Sequence, residues 1–148
     1  MESEKTSELF VRNLLRVMPG WHSKLVRPFK DSLSGEMSLE TYYCLETVRV
    51  CGSLTMTELA QQLRVPKQQV TKLVDKLSEH HFVERGYREA DRRVIEIRLT
   101  PMAISYLDGY YMKNTVFMKN LEGQLTEEEL RKLNGAVEVL GELLPKLK

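Results

Sequence analysis

The sequence predicts a mainly α fold that carries a helix-turn-helix and a small two-stranded β-wing. Three observations carry that expectation. Apolar side chains recur at helical spacing over most of the chain. Two short helical patterns, one after Thr55 and one over 66–79, are separated only by Arg64-Val65. Strand patterns at 82–86 and 94–99 follow at once, on either side of a charged stretch at 87–93.

Taken in order, residues 5–18 place Leu9, Phe10, Leu14, Leu15, Val17 and Met18 at helical spacing, and Pro19-Gly20 is expected to interrupt them. Trp21 to Leu33 resumes the pattern with Pro28 inside it, which predicts a kink or break before an end at Ser34-Gly35. Ser38 is a cap for a helix over about 39–51. Leu39, Tyr42, Tyr43, Leu45, Val48 and Val50 cover most of its circumference, so it is expected to be buried on most sides.

"TMTE" at 55–58 reads as a capping box, in which Thr55 accepts from the Glu58 amide and Glu58 reaches back. Leu59, Ala60 and Leu63 point inward from the helix that follows. Pro66 suits the first turn of the next one. Over 66–79, Val70, Leu73, Val74 and Leu77 form one apolar stripe; Gln68, Lys72, Asp75 and Glu79 lie opposite, flanked by Gln69, Thr71 and Lys76. In 94–99, Ile95, Ile97 and Leu99 alternate with Glu96 and Arg98.

Thr100-Pro101 opens a helix to about 122, and "TEEE" at 126–129 is a second capping box. Leu130, Leu133, Val137, Leu140, Leu144 and Leu147 then run at alternating spacings of three and four, an apolar seam of the kind that faces a partner helix. The layout expected is a helix-turn-helix region over 36–100 and a helical region over 1–33 and 101–148, within one structural domain.

Length and composition fit that layout. The chain has 148 residues, is 42% hydrophobic and carries a net charge of +1. The charge is unevenly spread: residues 61–100 hold nine Lys/Arg against six Asp/Glu, while 38–60 hold one against three. A basic middle in a near-neutral chain points to a polyanionic partner. The polar, acidic start and the lack of an apolar run near the ~20 residues that span a bilayer lead us to expect a soluble, cytoplasmic protein with no membrane partner.

The stretch "READRRVIEIRLT", residues 88–100, poses the functional question. A hairpin tip is solvated and often charged for that reason alone. Its position changes the weighing, because the helix just upstream presents Lys67, Gln68, Gln69, Thr71, Lys72 and Lys76, side chains that reach phosphates and base edges. Such a helix fits the major groove, ~12 Å wide. The ribbon would lie beside it, with Arg88, Arg92 and Arg93 near the adjacent minor groove, where arginine is favoured. Thr55 and Thr57, at the start of the first helix of the pair, complete the expected DNA-contacting set.

From about Leu39 to Leu107 the sequence resembles the MarR family (multiple-antibiotic-resistance regulators) of bacterial transcription factors. The residues that carry the resemblance are "LTMTELAQQLRVPKQQVTKLVDKLSEHHFVER" at 54–85, "DRR" at 91–93 and "IRLT" at 97–100. The order of the outer helices matches as well. The resemblance implies a winged helix-turn-helix within a homodimer whose N- and C-terminal helices interlock. Leu9, Phe10 and Leu14 would then join Leu130, Leu133, Val137, Leu140, Leu144 and Leu147 in the interface. It also implies that Asp91 pairs with Arg93 to stiffen the wing while Arg92 and its neighbours approach DNA. One departure is local: the family commonly has glycine before the first wing strand, where a helix ends in a left-handed conformation, and this chain has His81.

The implied activity is sequence-specific binding of a double-stranded, near-palindromic operator by a homodimeric repressor, with recognition helices roughly 34 Å apart. The family also senses small lipophilic or phenolic effectors in a cleft between the dimer helices and the winged region. Here Trp21, His22, Arg27, Tyr42 and Tyr43 are the expected lining, each weighed against an ordinary packing or surface role.

Other readings fit parts of the same sequence. A winged helix can bind protein instead, and Asp75 and Glu79 on the recognition face leave room for that. A thiol sensor would use Cys44 or Cys51, seven residues apart and ~10 Å apart along a helix, which exceeds disulfide reach. His22, His80 and His81 have no metal-ligand spacing with the cysteines. No GxGxxG, GxxxxGK[ST] or HExxH motif is present, so neither an enzyme nor a cofactor is expected.

Overall fold

The computed structural model describes residues 5–33, 37–113 and 115–148. Its backbone contacts divide the chain into two compact units, Met1–Ser32 with Asn114–Lys148, and Leu33–Lys113. The helix end expected at Ser34-Gly35 lies outside the described residues.

The first unit is helical. Helix α1, Thr6–Trp21, runs straight through Pro19 and Gly20, where the sequence predicted an interruption. Proline deletes one donor and leaves the rest of the ladder in place, and the helix tolerates that loss. A π-helical segment, His22–Val26, follows, where the Arg27 amide donates to the His22 carbonyl five residues back. Helix α2, Arg27–Ser32, follows, with Pro28 in its first turn.

In the same unit, helix α7, Thr115–Gln124, places Phe117 edge-on against Phe29 of α2, with ring centroids 5.5 Å apart. Helix α8, Glu127–Leu143, opens with a reciprocal cap. Thr126 Oγ1 accepts from the Glu129 amide at 3.1 Å, and Glu129 Oε1 accepts from the Thr126 amide at 3.0 Å.

The seam predicted along 130–147 stops being α-helical at Leu143, and Leu144–Lys146 form a single 3₁₀ turn. Pro145 is the physical reason, since it has no amide for the next intrahelical bond. Leu130 and Leu133 are half-buried. Leu9, Phe10, Leu14, Val137, Leu140, Leu144 and Leu147 are exposed, Phe10 at 59% and Leu147 at 73%.

The second unit holds the core. Helix α3, Leu39–Cys51, is capped by Ser38, whose Oγ accepts from the Thr41 amide at 3.2 Å. It buries Tyr42, Cys44, Leu45 and Val48 but leaves Tyr43 and Val50 exposed. One face is covered, not most of the circumference as expected. Helix α4, Met56–Leu63, adds Leu59 and Ala60 to this core, and helix α5, Lys67–Glu79, adds Val70, Val74 and Leu77.

Strands β1, Val83–Arg88, and β2, Asp91–Leu99, form an antiparallel ribbon whose base, Val83 and Ile97, is buried. Leu54 extends the base by exchanging two backbone hydrogen bonds with Ile97, at 3.0 and 2.7 Å. Helix α6, Pro101–Lys113, belongs to this unit and buries Ala103 and Leu107.

Candidate nucleic-acid interface

The turn between α4 and α5 is set by backbone chemistry. Arg64 takes the left-handed conformation, with φ 53° and ψ 47°. The Val65 amide then bonds to the Ala60 carbonyl at 3.1 Å and the Arg64 amide to Gln61 at 3.3 Å. These two bonds are a Schellman motif, and they turn the chain within two residues.

Helix α5 ends in the same way. His81 has φ 60°, the Phe82 amide bonds to Leu77 at 2.9 Å, and the His81 amide bonds to Ser78 at 3.0 Å. Histidine thus occupies the left-handed position usually held by glycine. Thr100 locks the exit, since its Oγ1 donates to the His81 carbonyl at 2.7 Å and accepts from the Ala103 amide at 3.1 Å.

With its apolar stripe buried, α5 turns the opposite side to solvent. Lys67, Gln68, Gln69, Lys72 and Lys76 are exposed, and their side chains make no ion pair or hydrogen bond among the described residues. Thr71 is half-buried and donates to the Lys67 carbonyl at 3.0 Å. Asp75, an acid on the same face, is bridged to Arg85 of β1 at 2.6 Å, so its charge is locally matched. On α4, Thr57 is exposed, while Thr55 is half-buried and caps the helix by accepting from the Glu58 amide at 3.1 Å.

The second half of the box expected at Thr55 and Glu58 does not form. Glu58 Oε1 instead accepts from Arg88 Nη2 at 2.9 Å. A charged partner outcompetes a neutral amide for that carboxylate.

The wing also differs from its sequence description. Residues 87–93 are not a seven-residue loop: pairing runs on to Arg88 opposite Asp91, and only Glu89 and Ala90 form the turn. The register jumps between Tyr87, opposite Ile95, and Arg88, which leaves Arg92, Arg93 and Val94 in a bulge on β2. That bulge carries two arginines at the tip.

Asp91 Oδ1 accepts from the Arg93 amide and from Arg93 Nε. The Arg93 guanidinium, followed by the amide bond, holds the Asp91 carboxyl below its ordinary range. Arg92 is exposed and has no partner among the described residues. Arg88 departs from the wing-tip group into which its charge placed it, because its guanidinium closes on Glu58 and on Glu96, the latter at 3.2 Å.

Two other sets of sequence-named residues fall elsewhere. Trp21, His22 and Arg27 are exposed in the first unit. In the second unit Tyr42 lies in the core and Tyr43 is exposed. A groove of about 410 Å³ in the first unit is lined by Ser23, Lys24, Pro28, Phe117, Asn120, Leu121 and Gln124, none of them among the expected effector-lining residues. Cys44 is fully buried, which pushes its thiol up to about 11, while Cys51 is exposed. No cluster of three His, Cys, Asp or Glu among the described residues could hold a metal ion. No helix among them is long and apolar enough to cross a membrane.

Comparison with known proteins bears on this geometry. Residues 37–95 match the model of the MarR family. The chain is 26% identical over 113 residues to the HTH-type transcriptional regulator YfiV of Bacillus subtilis (strain 168), covering 76% of this chain and 71% of that protein. It is 28% identical over 88 residues to the HTH-type transcriptional repressor MdtR of the same organism, covering 60% and 57%.

Among solved structures, wild-type MarR from E. coli in its apo form superposes with a TM-score of 0.67 at 20% identity, covering 94% of this chain and 98% of that one. A cysteine-to-serine mutant of MarR from E. coli, solved with operator DNA, gives a TM-score of 0.59 at 21% identity and covers 93% and 99%. At such identities the structural likeness is one of fold.

Proposed function

We propose, from the match of residues 37–95 to the MarR family model, that this chain is a MarR-family regulator acting as a homodimeric repressor of a near-palindromic DNA operator. It is a helix-turn-helix transcriptional regulator, not an enzyme. One observation carries the DNA-contact reading: an exposed row of unpartnered Lys67, Gln68, Gln69, Lys72 and Lys76 on α5 lies in the same compact unit as a bulge that projects Arg92 and Arg93. Helix α5 enters the major groove, Gln68 and Gln69 read base edges, and the lysines, with Thr57 and Thr71, engage phosphates. Thr55 contributes through the cap that orients α4.

In this reading the wing tip reaches the adjacent minor groove through Arg92 and Arg93. The apolar residues exposed on α1 and α8 meet those of a second copy, which spaces two α5 helices at one helical repeat, roughly 34 Å. A small lipophilic or phenolic effector releases the operator by favouring another spacing of the two DNA-binding lobes. The site of action is the cytoplasm, where the DNA is. A mobility-shift titration with the DNA upstream of the protein's own gene tests the reading. A shift that weakens steeply with salt supports it, and no shift at any salt concentration contradicts it.

A further inference from the structure

A polar network joins the wing to the helix-turn-helix. Arg88 Nη2 donates to Glu58 Oε1 of α4 at 2.9 Å and to Glu96 Oε2 of β2 at 3.2 Å. Ser53, in the segment before α4, donates through Oγ to the same Glu96 oxygen at 3.0 Å. Glu96 is the one charged residue among the described residues that is buried, with 11% of its side chain exposed. A buried carboxylate without partners would be costly, and here two donors satisfy it.

The strand register makes the network possible. Glu96 stands opposite Gly86, so Gly86 and Arg88 fall on the same side of the ribbon as Glu96. A Cβ at Gly86 would meet only Arg98 Nη2, at 3.9 Å. One guanidinium therefore ties the outer end of β1, immediately before the turn, to α4. Both bonds leave one nitrogen, Nη2, whose two protons serve one carboxylate each and whose directions the guanidinium plane fixes; a lysine is a point charge on a flexible stem.

We propose that Arg88 is a positioning residue: by bridging Glu58 and Glu96 it sets the attitude of the wing to the helix-turn-helix, and so places Arg92 and Arg93 on DNA without touching DNA itself. The DNA part rests on the repressor reading above, and the positioning part does not. The alternative, that Arg88 is a phosphate contact, makes the opposite prediction for Glu58. Glu58→Gln removes a negative charge near the DNA-facing side and weakens the hold on Arg88 from a charge-assisted bond to a neutral one. If Arg88 binds phosphate, that change tightens DNA binding. If Arg88 positions the wing, it weakens binding.

The experiment uses the full chain, three single variants, Glu58→Gln, Arg88→Ala and Arg88→Lys, and the double variant Glu58→Gln with Arg88→Ala, each checked for native circular dichroism. Without DNA, hydrogen exchange reads the wing: all three single variants exchange faster in the upper ladder around Tyr87 and Ile95, while α5 stays protected. Unchanged exchange in that ladder overturns the clamp whatever DNA does. With duplex selected from a random pool, Glu58→Gln and Arg88→Ala each weaken binding, by roughly five- to tenfold, and the double variant is no worse than the weaker single one. Tighter binding by Glu58→Gln with weaker binding by Arg88→Ala overturns the proposal in favour of a direct contact. If the wild type binds no duplex while the exchange result holds, the repressor reading fails and the clamp stands.

Discussion

Asp91 holds Arg93 by backbone and side chain together: Oδ1 accepts from the Arg93 amide at 3.0 Å and from Nε at 3.1 Å, and Oδ2 from Nη2 at 3.3 Å. The arginine is nonetheless 91% exposed along its side chain, so the grip fixes its direction without burying it. Asp91→Ala frees Arg93 and removes a negative charge. We expect weaker binding to all duplexes alike, measured by fluorescence anisotropy, although charge alone would strengthen it.

The same pair sets a pH window. Arg93 holds the folded Asp91 carboxyl below its ordinary value, about 3.9, so the stabilisation is present above that value and is lost as pH falls through the lower folded one. The Arg93 amide resonance is therefore expected to stay put from pH 7 to pH 5, and to move only below about pH 4.

Along α5, glutamines and lysines divide the work. Gln68→Ala and Gln69→Ala are expected to relax base preference at single operator positions, each by about 1–3 kcal/mol of discrimination. Lys72→Ala is expected to weaken all sequences nearly equally and to lower the slope of log K against log salt by about one. Titrating operator and scrambled duplex at several salt concentrations separates the two behaviours.

What the sequence made legible followed from local rules. The apolar stripe of Val70, Val74 and Leu77 and the caps at Ser38, Thr55, Thr100 and Thr126 depend on near neighbours, and each is where periodicity and cap chemistry place it. The helix-turn-helix with its two-stranded wing was readable for the same reason. What escaped depends on distance or on competition. Arg88 meets Glu58 across thirty residues, and no spacing rule connects them. That pairing also took Glu58 away from its box. The wing turn read as a long loop because Arg92, Arg93 and Val94 bulge out of the alternating pattern. Pro19 looked like a stop, yet the lost bond was tolerated inside α1. Tyr43 and Val50 looked like core because hydrophobicity does not say which side of α3 is covered.

The core of the second unit sets its stability. Leu45 and Leu59 are fully buried in one cluster fed by α3, α4, α5 and both strands. Leu45→Ala removes packing from the centre of that cluster and is expected to cost about 2–5 kcal/mol, read from urea denaturation. A loss below about 1 kcal/mol would mean that the site collapses to fill the gap.

Helix α8 carries the association surface in this account. Val137 is 43% exposed in the single chain, so Val137→Glu is tolerated by the fold but places a charge in the proposed interface. Sedimentation is expected to give twice the 17.2 kDa chain mass for the wild type and the single-chain mass for the variant, with helical content unchanged.

The most direct test is selection of bound duplexes from a random pool by the purified full-length protein near physiological salt. A homodimeric operator reader enriches an inverted repeat whose half-site centres lie about 10–10.5 base pairs, or a multiple of that, apart. A pool that emerges no richer in any motif than it entered, or that yields one unpaired half-site, would contradict it.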